Sequence, residues 1–170
     1  MKLHIGSGSN FLAGYTNVDR GNFHEAARLI GADFVQCDLL KIDECFPYLY
    51  AEEVYSEFVF EHFSPGQVKT LLFLLSRILI PTGRLYIVVP DFYSLLREWE
   101  PKFDTGDFSN LDVFNTRVFS DPTCGVHQSV WTESIGRWFL ENEGLYTVKS
   151  CLRYTLRGEP VLSFLAERMA

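Results

Sequence analysis

No two cysteines of this chain stand at CxxC spacing: Cys37, Cys45, Cys124 and Cys151 are separated by 8, 79 and 27 residues. That excludes zinc ribbons and thioredoxin-like redox motifs. Their isolation in mostly apolar stretches reads as reduced, buried thiols in a cytoplasmic protein. Positive charge is not in excess either. With 15 Lys plus Arg against 22 Asp plus Glu, the net charge is −7. This argues against nucleic acid as a partner, because a phosphate-backbone binder needs a concentrated basic face. The most apolar stretch, residues 71–80, is interrupted by Ser76 and Arg77. It falls short of the about 20 residues of a spanning helix, so no membrane partner is expected. The opening MKLHIGSGSNF has one lysine and no apolar segment, and does not read as a signal peptide. Gly-Lys-Ser/Thr occurs nowhere, which removes the P-loop. Gly6-Ser7-Gly8-Ser9 lacks the closing glycine of a hydrolase elbow. No His, Asp or Glu group has metal-ligand spacing along the chain, so no metal is expected.

What is present suits one domain over residues 1–170, with 47% hydrophobic residues and enough length to bury a core without staples. Aromatics at 15% point to a heavy core or an aromatic-lined pocket. Short β-branched or aromatic runs alternate with helical periodicities, which argues for an α/β fold with a mostly parallel sheet. Strands are expected at residues 2–5, 15–19, 33–39, 53–60 and 84–89, the last with the continuous apolar run of a doubly covered strand. Residues 147–154 and 161–167 read as a C-terminal antiparallel pair. Ser64-Pro65-Gly66-Gln67 is a capping-box start for a helix carrying Val68, Leu71, Leu72, Leu75, Ile78 and Leu79 on one face, ended by Pro81 and Gly83. Asn22 and Glu25 open a shorter helix closed by Gly31. Phe92, Leu95, Leu96 and Trp99 share helical spacing. Thr132 caps a helix with Ile135, Trp138 and Phe139 inward. From 100 to 130 the pattern fails, and a long polar-aromatic stretch of this kind reads as a cap or substrate loop over the strand ends.

Gly6-Ser7-Gly8 after the first strand opens a nucleotide-binding turn, though glycines also serve plain tight exits. A dinucleotide fingerprint needs a third glycine, where Phe11 stands, and a crossover helix to receive the pyrophosphate. Only nine residues separate the first two expected strands, too few for that helix. A ligand without phosphates would not need it, which disfavours NAD. Asp19 ends the second strand, where a carboxylate can accept both hydroxyls of a ribose. Asp38, followed by Leu39, ends the third and can face an adenine amino group. An ordinary solvated turn explains either carboxylate alone, less readily the pair. His127, beside Gly125, is either a base or an ordinary surface or core histidine. Asp91 after the fifth strand either meets the acceptor, orients His127, or turns the chain with Pro90. His4 reads as structural and His24 as solvated.

The ordered segments KLHIGSGSNFLAGYTNVD, FVQCDLL, EVYSEFVFEHF and LSRILIPTGRLYIVVPDF resemble the motifs of class I S-adenosylmethionine-dependent methyltransferases, closest to small type-11-like members with a shortened first crossover. The likeness covers residues 2–100 well and HQSVWTESIGRWFLENEG more loosely. It implies a Rossmann-like sheet flanked by helices, one reversed strand, and S-adenosyl-L-methionine as cofactor over the C-terminal strand ends. It further implies that Gly6, Ser7 and Gly8 wrap the cofactor, Asp19 holds its ribose, Asp38 and Leu39 bracket its adenine, and Ser56 and Glu57 border the methyl-donor side. Glu61-His62 matches the family's Glu-His, in a structural role or near the methionyl end. Phe58 departs from the histidine of many relatives, so no role transfers there. No helix precedes the first strand, so that side of the cofactor is expected to be open or closed by a partner chain, as a homodimer would do. The activity expected is methyl transfer to a small-molecule or glycan-like acceptor. The alternative is a non-catalytic cofactor-binding regulatory or scaffold protein.

Overall fold

The computed structural model of the chain describes residues 1–105, 118, 120–121 and 125–170. Most of the expected cap lies outside the described residues, Cys124 with it. The elements run β1 (Lys2–Ile5), β2 (Thr16–Asp19), α1 (His24–Ile30), β3 (Phe34–Gln36), a 3-10 turn (Leu39–Lys41), α2 (Ile42–Cys45), β4 (Ala51–Glu57) and a second 3-10 turn (Phe60–His62). They continue with α3 (Pro65–Ile78), β5 (Leu79–Pro90), α4 (Phe92–Asp104), β6 (Ser120–Asp121), β7 (Gly125–Val126), α5 (Glu133–Glu141), β8 (Tyr146–Leu156) and β9 (Glu159–Arg168).

One seven-stranded sheet has the order β3-β2-β1-β4-β5-β9-β8. The first five strands are parallel, and β9 runs antiparallel to both β5 and β8. The doubly wound, Rossmann-like class with a C-terminal antiparallel pair is thus what the chain adopts. The first crossover carries no helix, as its ten residues require. Alternation splits the sheet by face. In-register Leu3, Ile5, Val54, Leu85, Ile87, Leu162, Phe164 and Ala166 point one way and are fully buried, joining residues of α3 and α5 in a continuous core. The opposite face carries Lys2, His4, Glu53, Tyr55, Arg84 and Tyr86. There Glu53 accepts from the Tyr15 hydroxyl and pairs with Lys2 at 3.3 Å and Arg84 at 2.9 Å. Burial raises its pKa, but those bonds and charges outweigh it and hold the carboxyl below the usual range.

Four sequence expectations change. The capping box forms, with Gln67 N donating to Ser64 Oγ and Ser64 N to Gln67 Oε1, but Pro81 and Gly83 do not end α3. The helix stops at Ile78 and the chain turns straight into β5, whose pairing jumps from Ala51–Leu79 to Glu53–Arg84, so that Pro81 and Gly83 sit at an irregularity in the ladder. The third strand is only three residues long, because Asp38 leaves the sheet to cap the 3-10 turn through Leu40 N. Trp138 is exposed rather than inward, with the Lys69 ammonium 4.7 Å above its ring. Cys37 and Cys45 are joined in a disulfide, not reduced, because the 3-10 turn and α2 fold the chain back and bring their Cα atoms to 6.5 Å; Cys151 is a free thiol. No helix among the described residues is long and apolar enough to cross a membrane.

Candidate functional site

The carboxyl ends of the parallel strands gather the candidate residues, as strand direction in an open α/β sheet dictates. Gly6 leaves β1 with φ +65°, and Gly8 follows at φ +50°. A Cβ on Gly6 would lie 2.2 Å from a Val59 methyl, whereas one on Gly8 would meet nothing within 4 Å. The first glycine lets β4's exit pack against the turn; the second leaves an open cradle above it. Asp19 holds this turn in place. Its Oδ2 accepts from Gly8 N at 2.9 Å and its Oδ1 from Gly21 N at 2.8 Å. Ser7 is buried, its backbone N–H on the Val18 carbonyl and its hydroxyl on the Gly8 carbonyl. Behind the turn His4 is buried with Nδ1 3.0 Å from Asn17 Oδ1, the structural position expected of it. Burial holds its pKa below the ordinary value, against the opposing bond to Asn17 and the charges of Glu57 and Asp19.

Next to Gly6, Ser56 faces the core side opposite Ile5. It is fully buried, and its Oγ is without a hydrogen-bond partner among the described residues. Glu57 ends β4, accepts from the Tyr55 hydroxyl at 2.7 Å and pairs with Arg157 from the β8–β9 turn at 2.9 Å. Burial and the Glu57 carboxylate together raise the Tyr55 pKa, which keeps that phenol protonated as the donor. Phe58 follows at φ +55°, a conformation a bulky side chain adopts only under constraint. On the far side Asp38 is exposed and Leu39 buried.

A second group of candidate residues comes together from distant segments. Residues 127–131 dock on the Phe60–His62 turn: Gln128 N and Ser129 N both donate to the Glu61 carbonyl at 2.7 and 3.1 Å, Gln128 Nε2 donates to the His62 carbonyl, and Ser129 Oγ to the Phe60 carbonyl. Trp131, 1% exposed, anchors the segment against Phe60, Phe139 and Phe164 and donates Nε1–H to Ser129 Oγ. His127 Nδ1 lies 3.1 Å from the Val118 carbonyl. A small cavity here is lined by Glu61, Pro90, Phe92, Leu95, His127 and Val130. Asp91 has its own set of partners. It is buried at the start of α4, accepting from Tyr93 N, Ser94 Oγ and Arg153 Nε, so Val118 and not Asp91 takes the His127 ring N–H. Sequence spacing also missed a group: Glu61, His62 and His127 each offer a ligand atom, all within 4.8 Å of one another.

The strand order, the reversed β9 and the glycine turn over β1 define the fold of the class I S-adenosylmethionine-dependent methyltransferases. Among solved structures, a SAM-dependent methyltransferase from Methanosarcina mazei superposes with a TM-score of 0.70 at 17% identity, covering 99% of this chain and 92% of the other. The 1,6-didemethyltoxoflavin-N1-methyltransferase of Burkholderia thailandensis, with 1,6-didemethyltoxoflavin and S-adenosylhomocysteine bound, gives 0.67 at 18% identity over 99% of this chain and 71% of its own. The N-methyltransferase NodS of Bradyrhizobium japonicum, in complex with S-adenosylhomocysteine, gives 0.61 at 14% identity over 98% and 76%. No protein-family model matches the chain, and no curated protein matches it in sequence.

Proposed function

We propose that the protein binds S-adenosyl-L-methionine over the ends of β1, β2 and β4 and transfers its methyl group to a small-molecule acceptor. The observation that carries this reading is the left-handed Gly6–Gly8 turn tied to the Asp19 carboxylate, with an open cradle above Gly8 and the partnerless Ser56 hydroxyl beside it. These pieces fit an adenosyl group without phosphates: the first crossover has no helix to offer its N-terminus to a pyrophosphate, and each Asp19 oxygen keeps a lone pair for a ribose hydroxyl. Asp38 and Leu39 flank the adenine, and Ser56 and Glu57 border the methyl-donor side.

When bound, the cofactor supplies an already activated, electrophilic methyl. The chain's task is therefore proximity, in-line orientation and exclusion of water. A base is needed only if the acceptor must lose a proton. His127 is the group placed for it, because a carbonyl only accepts: its Nδ1 carries the proton shared with Val118, and the lone pair sits on Nε2. Asp91 enters this reading as the brace between α4 and Arg153. A cytoplasmic setting remains part of the proposal, with Cys37–Cys45 a bond that a reducing cytosol would open.

Calorimetry with S-adenosylmethionine, S-adenosylhomocysteine and NAD tests it. The first two are expected to bind and NAD to fail. Asp19→Ala removes two charge-assisted bonds to the ribose, each worth about 1.5–3 kcal/mol, and should weaken binding at least about tenfold, with circular dichroism confirming the fold. Equal binding by the wild type and this variant would place the ribose elsewhere. Consumption of methyl-labelled cofactor with cell extract separates catalysis from binding alone.

A further inference from the structure

We infer that Glu61, His62 and His127 form a binding site for one divalent transition-metal ion of the zinc type. Their ligand atoms already lie within 4.8 Å of one another, and the two imidazole rings are 5.0 Å apart. Tetrahedral bonds of about 2.0–2.1 Å imply ligand separations of about 3.3 Å, so a rotamer adjustment of the side chains closes the set on an ion. Two nitrogens and one carboxylate oxygen suit zinc, cobalt or nickel; calcium and magnesium want an all-oxygen shell.

Three further observations support the site. The first is the His127 tautomer. A ligating histidine usually donates its other ring N–H to a carboxylate or backbone carbonyl, which fixes the ring and points the lone pair at the metal; the Val118 carbonyl, 3.1 Å from Nδ1, does this here. The second is preorganisation. The peptide oxygens of Glu61 and His62 are the same ones that receive Gln128 and Ser129, so the two halves of the ligand set are locked together by backbone geometry before any ion arrives. The third is burial and space. Glu61 is 2% exposed. The cavity that Glu61 and His127 line has about 10 Å³ of room for water-sized groups, enough for roughly one water. Three protein ligands leave one coordination position, which that space can serve with a water.

The site does not rest on methyl transfer, although it uses the Nε2 lone pair that the proposed base would use; an ion, once bound, takes it. The test uses the whole chain, freed of metal with a chelator and titrated with zinc chloride alone by calorimetry. Cobalt chloride gives a visible d–d spectrum as a second readout. The expected result is one equivalent bound, with His127→Ala and Glu61→Gln each weakening affinity at least about tenfold, and His24→Ala, an exposed histidine on α1, changing nothing. Zinc should also raise the melting temperature of the wild type and not that of His127→Ala, since an ion stabilises only the state that binds it. Should either variant fail to fold, His62→Asn with the cobalt spectrum decides: loss of the bands supports the site, and unchanged bands refute it. No binding at one equivalent, or variants that bind as the wild type does, would overturn the assignment. Loss of binding in Cys151→Ser alone would do so too, by placing the ion on a thiol.

Discussion

The two halves of the strand-end site are built in opposite ways. The half proposed for the cofactor draws on Gly6, Gly8, Asp19 and Gly21, a span of 16 residues, and is held by backbone N–H groups on one carboxylate. The half proposed for the acceptor joins the Phe60–His62 turn to residues 127–131, 66 positions away between His62 and Gln128, and is held by hydrogen bonds to the turn's carbonyls and by one large aromatic anchor. The first half is local and polar, so strain at single backbone positions should damage it. The second is non-local and leans on a large buried aromatic beside its hydrogen bonds, so loss of buried surface should.

The largest effect is expected from Trp131→Ala. Truncating a fully buried Trp costs about 3–5 kcal/mol, read by denaturant unfolding. If the halves are independent, cofactor affinity measured well below the melting temperature stays within about twofold. A parallel collapse of binding would join the two halves into one unit. Gly6→Ala comes next. The left-handed φ costs about 1–2 kcal/mol and the overlap with Val59 about 1–3 more, whereas Gly8→Ala should show only the first part, because nothing crowds its position. Equal losses would mean that Val59 yields freely.

Ser56→Ala sharpens the comparison in the other direction. Removing a buried hydroxyl without a partner should raise ligand-free stability by about 1 kcal/mol while cofactor affinity falls several-fold. A gain in both would remove Ser56 from the site. The smallest effect belongs to His4. Its folded pKa lies below the ordinary imidazole value, so between the two the unfolded chain holds the extra proton. The stability it contributes is therefore complete above about pH 6.5 and is lost as pH falls through the folded value. Melting curves from pH 7.5 to 5.5 should show this slope in the wild type and a flatter one in His4→Gln.

The same contrast decides what was legible in the sequence. β1 could be read to the residue, and the Ser64–Gln67 box and the Thr132 cap were legible because a cap is a contact between near neighbours. The glycine turn after β1 was legible for the same reason, though not its tie to Asp19. Pro81 and Gly83 misled, because a helix stop and a ladder irregularity use the same residues. Cys37 and Cys45 looked isolated until an unforeseen turn and short helix folded the chain between them. The convergence of Glu61, His62 and His127 had no local signal at all. It depends on which strand ends lie side by side, and linear spacing carries no trace of that. Asp91 had no local signal for its partners: its oxygens accept from a helix start and from Arg153, 62 residues away.

The strand order has a consequence for how the molecule comes to exist. β8 is made before β9, yet in the sheet β9 lies between β5 and β8. On the ribosome, β5 must therefore wait with its apolar LYIVV edge unpaired until β9 emerges, since the pairing of Arg84 with Glu167 spans 83 residues. Such late, long-range closure is slow, and an open apolar edge invites pairing with other chains. The hairpin that finally closes it also delivers Arg157 to Glu57 and Arg153 to Asp91. Completion of the sheet and completion of the strand-end site are thus one event in biogenesis, and a nascent chain short of β9 has neither.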